Sequence, residues 1–270
     1  EHWSTGLSYG YAMPIGRRLN MEFSFSFGYA AIPFRGYIPS EDYSILWRDP
    51  QNTGKWHYFG PTKAQISLVV PITAKVKNLK ITGSINVDDF YFMRDEMSVL
   101  QSLNLKEVKI ESDDKADCIP NDALRGKNTL MRLVLPDRLK GISSAAFYEC
   151  KNLTGSLIIP EGVIEIGDNA FHLCQAMTGT LQLPTTLKKI DSWAFQGCGF
   201  ACELVFPDNL TYIGDGAFCG CGNLYGSLKL PDQLTHLGEE AFRDCLGMSG
   251  SIEIPESVTS INTRTFFTYY

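Results

Sequence analysis

The C-terminal half of the chain repeats one pattern of apolar and polar positions six times. Two successive copies read "LPDRLKGISSAAFYEC" and "IPEGVIEIGDNAFHLC". The repeated prolines are Pro136, Pro160, Pro184, Pro207, Pro231 and Pro255, and the repeated phenylalanines are Phe147, Phe171, Phe195, Phe218, Phe242 and Phe266. Both series advance in steps of 24, 24, 23, 24 and 24 residues. A fixed period of roughly 20 to 29 residues with apolar residues at set places predicts a solenoid of short stacked coils.

Each copy predicts the same local elements. The apolar segment before the proline predicts a short strand, which ends there because proline has no N–H to donate. Leu139 and Ile142 recur as apolar residues in every copy. They predict two columns of side chains that point into the core and stack coil on coil. Five of six residues in the next column are Ser, Asp or Thr, which predicts N-caps of a short helical turn carrying Ala-Phe. This column is Ser144, Asp168, Ser192, Asp215, Glu239 and Thr263. Asp168 is therefore predicted to be a cap rather than a general base.

The phenylalanine column predicts the centre of the core, and a cysteine follows three residues after each of its first five members. The predicted structural core is Phe147, Phe171, Phe195, Phe218, Phe242, Cys150, Cys174, Cys198, Cys221 and Cys245. A zinc site needs paired ligands, whereas these cysteines follow the repeat period, so the pattern predicts a ladder of buried reduced thiols. The alternative is disulfides between coils in an oxidising compartment, with Cys202 and Cys219 as the expected participants.

Residues 1–75 alternate apolar and polar positions with period two, which predicts antiparallel strands in 3–15, 21–29 and 63–72. The turn "GRRL" is short, and the segment 32–55 is predicted to be a long polar loop. A transmembrane barrel and a soluble sheet with one buried face share this alternation. Both interpretations therefore stay open for this segment.

Residues 76–130 predict an N-terminal cap for the solenoid. They contain a strand in "VKNLKITGSI", a helix over 86–103 that begins at Asn86 or Asp88, and a strand in "LKEVKIE". A degenerate repeat follows, with Leu124 in the place of phenylalanine, as expected of a terminal repeat. The chain is thus divided into 1–75, 76–130 and the repeats of 131–270, the last of which is incomplete.

Composition and charge narrow the function classes. The 270 residues are 44% hydrophobic and 20% charged, as in an ordered globular protein. A net charge of −6 without a basic run argues against nucleic-acid binding. No apolar stretch reaches the length of a transmembrane helix. The four histidines are scattered, and phosphate-binding, dinucleotide and nucleophile-elbow motifs are missing. The sequence predicts no catalytic residues, no metal site and no cofactor, hence a protein that is not an enzyme.

The repeats resemble the BspA-like leucine-rich repeat family over residues 76–270, through "IPEGVIEIGDNAFHLC" and its variants. That resemblance implies a right-handed α/β solenoid with coils of about 24 residues, carried by envelope or surface proteins of which several act in adhesion. "GLSYGYAMPIGRRLNMEFSFSFGYA" and "YFGPTKAQISLVVPI" resemble the last three strands of a small outer-membrane β-barrel family of unknown function from Bacteroides-type bacteria. Three strands cannot close a barrel, which needs about eight. Either the chain is trimmed or these strands pack against something else.

The variable positions of the second strand are where function is predicted. We name them the lysine column (Lys140, Ile164, Lys188, Thr211, Thr235, Thr259) and the tyrosine column (Gly141, Glu165, Lys189, Tyr212, His236, Ser260). Stacked coils place neighbours in a column about 4.8 Å apart, which suits an extended partner. The predicted binding patch is Lys188, Lys189, Tyr212 and His236, because it joins a cationic pair with an aromatic ring.

Two functions follow from these observations. The first is a cell-envelope or cell-surface adhesion module whose solenoid binds a protein or glycan. The alternative is an outer-membrane structural or assembly protein with a periplasmic repeat domain. Both allow association with the outer membrane through residues 1–75, and neither involves nucleic acid.

Overall fold

The computed structural model describes residues 76–112 and 115–268, and in addition the backbone of 46–48 and 56–58. The chain forms two compact units, Glu1–Thr73 and Ala74–Tyr270.

The first unit contains one described hairpin. Strands β1 (Leu46–Arg48) and β2 (Trp56–Tyr58) pair antiparallel, with Leu46 opposite Tyr58. Strand β1 lies in the segment that was predicted to be a loop; its sequence, Leu-Trp-Arg, includes an aromatic residue, a type enriched in strands. The predicted strands in 3–15, 21–29 and 63–72 lie outside the described residues.

The second unit opens with a parallel strand pair and one helix. Strand β3 is Asn78–Ile85, helix α1 is Val87–Asp95 and strand β4 is Ser102–Ile110. The Asn86 side chain accepts the Asp89 N–H, and the Asp89 carboxylate accepts the Asn86 N–H, which completes a capping box. Asn86 is thus the N-cap.

The helix is shorter than the predicted 86–103, for a tertiary reason. Strand β4 lies in the middle of a three-stranded sheet, between β3 and the first repeat strand β6 (Arg132–Val134). Ser102 pairs with Asn78 on one side and with Arg132 on the other. These two pairings hold residues 102 and 103 in an extended conformation, which a helix cannot adopt.

Most coils of the solenoid contribute two short strands; within the described residues, the coil of Phe206 lacks the first one and the last coil lacks the second. After β6, the first strands are β8 (Leu157–Ile158), β10 (Leu181–Gln182), β13 (Leu228–Lys229) and β15 (Ile252–Glu253). The second strands are β5 (Cys118–Ile119), β7 (Gly141–Ile142), β9 (Glu165–Ile166), β11 (Lys189–Ile190), β12 (Tyr212–Ile213) and β14 (His236–Leu237). The second strands form one parallel six-stranded sheet in this order. The fold is a parallel β-solenoid of about seven turns.

The phenylalanines stack through the centre of the solenoid. Ring centroids from Phe147 to Phe266 are 5.0–5.8 Å apart on successive coils, and ring planes differ by at most 20°. The five predicted core phenylalanines are 0–2% exposed. The stack is the continuous core that lets each coil bury its neighbour's apolar face.

The cysteine column connects successive coils through hydrogen bonds. The thiols of Cys150, Cys174, Cys198, Cys221 and Cys245 donate to the carbonyl oxygens of Leu124, Phe147, Phe171, Phe195 and Phe218 at 3.0–3.3 Å. All eight cysteines are free. The buried column therefore contributes both packing and hydrogen bonding.

The turns that carry Ala-Phe are not helical, so that prediction is wrong. Asn169 and Leu173 have positive φ of 56° and 57°, which directs alternate N–H groups out of the turn. The Phe171 N–H accordingly donates to the Ala194 carbonyl of the next coil at 2.7 Å. The intervening N–H groups, such as those of His172 and Cys174, donate within the turn to the Asn169 and Phe171 carbonyls, so hydrogen bonds within the turn alternate with bonds to the next coil. Helix α1 is the only helix among the described residues and lies ahead of the repeats.

The predicted N-cap column also acts between coils. The Asn121 side chain accepts the Ser144 N–H at 3.0 Å, and the Asp215 carboxylate accepts the Glu239 N–H at 2.8 Å. Asp168 accepts a hydrogen bond from the Asn169 side chain at 2.6 Å. Asp168 is thus not the cap of a helical turn, because no such turn exists.

The last coil differs from the interior coils in burial. Ile252 and Ile261 are 44% and 56% exposed, whereas the equivalent Leu228 and Leu237 are 1% and 2% exposed. No further coil covers them within residues 76–112 and 115–268. In those same ranges no helix is long and apolar enough to cross a bilayer.

Candidate binding site

The six-stranded sheet brings the tyrosine column together. In its register Gly141, Glu165, Lys189, Tyr212 and His236 lie side by side on consecutive strands. Each of these residues precedes an inward Ile or Leu that is at most 2% exposed. Because side chains alternate along a strand, the residue before a buried one points away from the core.

Two neighbouring carboxylates form ion pairs with the Lys189 ammonium. Its ammonium is 3.2 Å from Glu165 Oε1 and 2.6 Å from Asp191 Oδ2. The hydrogen bond to Asp191 raises the pKa of Lys189 above its ordinary value, and Glu165 adds to this effect while partial burial opposes it. The same ammonium lies 5.2 Å from the ring centroid of Tyr212, within cation–π range.

Tyr212 is held between two neighbours. Its ring stacks on His236 with centroids 4.3 Å apart and planes 9° apart, while Lys189 lies on the preceding strand. Burial, followed by the nearby Asp191 carboxylate, raises the pKa of the Tyr212 phenol. Both ring faces are covered, so the ring presents its edge and hydroxyl to a partner.

Lys188 lies beside this run, in the lysine column, and its side chain is exposed. Among the described residues its ammonium forms no ion pair. Its carbonyl accepts the Thr211 hydroxyl at 3.1 Å. The structure therefore brings Lys189, Tyr212 and His236 into contact and places Lys188 next to them as a free cation.

A second run of the same residue types lies in the turns. Arg125 lies 4.7 Å from the ring centroid of Tyr148, which stacks on His172 with centroids 4.7 Å apart and planes 7° apart. Burial lowers the pKa of His172, against the influence of Glu149 and Asp168. The sequence alone predicted no role for His172, which is one of the four scattered histidines. The recurrence of cation, tyrosine and histidine on three successive coils is the signal that was available.

The buried cysteine thiols of the core column are poor nucleophiles. Burial raises the pKa of the Cys198 and Cys221 thiols well above its usual range, which keeps them protonated as hydrogen-bond donors. Across the described ranges no group of three His, Cys, Asp or Glu side chains could hold a metal ion. The geometry of the site is suited to binding.

Three solved structures to which this chain is similar are leucine-rich repeat proteins. One from Bacteroides ovatus ATCC 8483 is 23% identical, with a TM-score of 0.41, over 67% of this chain and 50% of its own. This chain therefore spans half the length of that relative. A leucine-rich cell surface protein from Faecalibacterium prausnitzii A2-165 is 20% identical over 74% of this chain and 68% of its own, with a TM-score of 0.42. The T. pallidum leucine-rich repeat protein is 23% identical over 67% of this chain and 72% of its own, with a TM-score of 0.39.

Family profiles match both parts of the sequence. Residues 1–72 match DUF3575, a family of proteins of unknown function. No curated protein matches the chain. The profile of the BspA type leucine-rich repeat region, in six copies, matches residues 96–199 and 152–269, which together cover more than half of the chain. The chain therefore belongs to the BspA type leucine-rich repeat family.

Proposed function

We propose that this protein is a non-enzymatic interaction module of the cell envelope or cell surface, and that its partner binds the outward face of the six-stranded sheet. The observation that carries the proposal is the contact run of Lys189, Tyr212 and His236 on three consecutive strands. The leucine-rich repeat fold is that of a protein-interaction module, which supports the same conclusion.

The contact run favours binding because its side chains are already ordered. Lys189 is held by two carboxylates and Tyr212 by two neighbours, so little side-chain entropy remains to be lost on association. Tyrosine is also among the residues that contribute most to interfaces, since it combines apolar area with a hydroxyl.

The covered faces of Tyr212 favour a protein over a glycan. A sugar ring stacks on an open aromatic face, and here Lys189 and His236 occupy both sides. A polypeptide can instead bond the phenol hydroxyl and contact the ring edge. Glycan binding is the alternative that the same experiment tests.

Binding is tested with purified, labelled chain on peptide and glycan arrays. Tyr212→Ala and His236→Ala are expected to reduce the signal on peptides. Tyr225→Ala is the control, because Tyr225 is 51% exposed and lies outside the six-stranded sheet. Signals on both arrays that stay unchanged in the two sheet variants would contradict the proposal.

The second proposal is an outer-membrane structural or assembly protein with periplasmic repeats. It is favoured by the short turn that the sequence predicts at "GRRL", because short turns of outer-membrane barrels are periplasmic and the third predicted strand would then lead residue 75 to that side. Protease treatment of intact cells separates the two. Digestion of the repeats excludes the periplasmic arrangement, and full protection, with digestion after lysis, excludes the surface arrangement.

A further inference from the structure

We propose that the partner is an extended acidic peptide that runs along the solenoid axis, with two carboxylates on Lys140 and Lys188 and an apolar contact on Ile164. The inference rests on the proposed function, since these exposed residues directly precede the sheet strands β7, β9 and β11 and neighbour the tyrosine column. It adds the chemistry of the partner, its direction and the spacing of its charges.

Lys140 and Lys188 are exposed cations without acidic partners among the described residues. Several other cations of the solenoid are paired, for example Lys151 with Glu149 at 3.2 Å and Lys189 with Glu165 at 3.2 Å, whereas Lys229 is also unpaired among the described residues but lies in β13, outside the six-stranded sheet. Two unpaired ammonium groups on one face are therefore available to carboxylates of a partner.

Glu161, which directly precedes Gly162 on the neighbouring coil, is already engaged. Glu161 accepts the Thr185 N–H at 3.1 Å and the Thr185 hydroxyl at 2.9 Å. The Lys140 ammonium lies instead over Gly162, where an added Cβ would come within 3.3 Å of it. The absence of a side chain at Gly162 leaves room for the ammonium and leaves its charge unpaired.

The backbone holds the three residues at a fixed spacing. The Ile164 N–H donates to the Lys140 carbonyl at 3.0 Å, and the Lys188 N–H donates to the Ile164 carbonyl at 2.9 Å. Ile164 is 48% exposed between the two lysines. The face thus presents cation, apolar side chain and cation on three successive coils.

The spacing selects the conformation of the partner. Two coil steps separate the backbone positions of the two lysines by about 9.6 Å at the parallel-strand spacing. The Lys140 side chain must leave its position over Gly162 for its ammonium to meet a carboxylate at this spacing. Same-side residues of a β-strand lie about 6.7 Å apart, whereas residues i and i+3 of a polyproline II helix lie about 9.3 Å apart. Two acidic residues with two prolines between them therefore match the lysines, and the proline rings fall over Ile164. Polyproline II is also preordered, which lowers the entropy lost on binding.

The neighbouring charges permit this arrangement and limit it. Glu165, beside Ile164, shares Lys189 with Asp191, so this cluster keeps one net negative charge, which limits how many acidic residues a partner can place there. Further along the lysine column the Thr211 and Thr235 hydroxyls donate to backbone carbonyls at 3.1 Å, so they offer methyl groups rather than free donors. The net charge of −6 repels a polyanion, so the partner carries few negative charges at the matching spacing.

The test uses the full chain and fluorescein-labelled peptides. The probe contains Pro-Glu-Pro-Pro-Glu-Pro; one control probe replaces both glutamates by glutamine, and another places the glutamates next to each other. Binding is measured by fluorescence anisotropy for the wild type and for Lys140→Ala, Lys188→Ala and Ile164→Ser. Lys229→Ala is the matched control, because Lys229 is exposed and unpaired among the described residues but lies in β13, outside the six-stranded sheet.

We expect the probe to bind more tightly than both control peptides and more weakly as salt rises. Each lysine substitution should weaken binding about 1.5- to 5-fold, the range of one exposed ion pair, and Lys229→Ala should leave it unchanged. Equal binding of the three peptides, or equal effects of Lys188→Ala and Lys229→Ala, overturns the inference. Glycan-array binding that depends on Tyr212 but not on the lysines overturns it too, yet leaves the proposed function standing. Array signals that stay unchanged in Tyr212→Ala and His236→Ala contradict the proposed function itself.

Discussion

The rings of Tyr212 and His236 lie on adjacent parallel strands with centroids 4.3 Å apart and planes 9° apart. Tyr148 and His172 repeat this relationship in the turns, with centroids 4.7 Å apart. Each tyrosine also has a cation on the preceding coil, Lys189 or Arg125. The two runs differ in position, since one lies on the proposed binding face and the other does not.

That difference makes a matched pair of variants. Tyr212→Ala and Tyr148→Ala should each lower the free energy of unfolding modestly. The lost ring–ring contact accounts for about 0.5–1.5 kcal/mol, and the loss of the buried part of the tyrosine ring adds to it. Only Tyr212→Ala should reduce binding on the peptide array. Thermal unfolding and array binding of both variants check this. An equal loss of binding in Tyr148→Ala would mean that the sheet face is not the site.

The phenylalanine stack predicts a large loss of stability on truncation. Phe195 is 0% exposed and contacts Phe171 and Phe218, with ring centroids 5.5 and 5.3 Å away. Phe195→Ala should lower the free energy of unfolding by about 3–5 kcal/mol, measured by chemical denaturation. Phe267→Ala is the control, because Phe267 is 43% exposed and should lose much less. Comparable losses would refute the central position of Phe195.

Gly216 is required by both its backbone and its neighbour. Its φ is +59°, and an added Cβ would overlap the Trp193 ring. Gly126 has a similar φ of +69° with nothing within 4 Å of an added Cβ. Gly126→Ala should therefore cost only the left-handed penalty of about 1–2 kcal/mol. Gly216→Ala should cost more and shift tryptophan emission, with Trp193→Phe as the reference. Equal costs and unchanged emission would show that the ring does not cover Gly216.

Asp89 predicts an unusual pH dependence. Burial raises the pKa of this carboxyl from 3.8 to about 6, against the lowering effect of the hydrogen bond from Asn86. The folded protein thus holds this proton more tightly than the unfolded chain. The resulting stability is complete below about pH 4 and is lost as pH rises through about 6, with a total of at most about 3 kcal/mol.

Asp89→Asn keeps an oxygen that can accept the Asn86 N–H and removes the titration. Stability measured from about pH 4 to pH 7 should fall in the wild type relative to this variant. Parallel profiles for the two proteins would show that Asp89 does not titrate in this range.

The thiol ladder predicts a loss of stability in alkali. Burial raises the pKa of Cys245 to about 12, so the folded state keeps a proton that the unfolded chain releases near its ordinary pKa of 9.0. The contribution is complete below about pH 9 and decreases by about 1.4 kcal/mol per pH unit as pH rises toward the folded pKa. Cys245→Ala should lose this part of the slope, as measured by urea unfolding at several pH values. An unchanged slope would contradict the buried position of this thiol.

The repeat period was sufficient to predict the solenoid, because each position meets its own equivalent in the next coil. It therefore also identified which columns face inward, from the apolar residues of the second strand to the phenylalanines. Asn86 could be predicted as one of two candidate caps, with Asp88, because capping depends on residues only three positions apart. These predictions needed only local sequence and the period.

The contacts between coils depended on the tertiary structure. The turn around Phe171 is not helical because alternate N–H groups, those of Asn169, Phe171 and Leu173, donate to the next coil. Helix α1 cannot extend to residue 103 because β4 pairs on both sides from Ser102 onward. Lys189 binds two carboxylates, whereas Lys188, one residue away, binds none among the described residues. Sequence determines which residues form a column, but the distances across coils determine which neighbouring side chains touch, because a few ångströms separate an ion pair from a free charge.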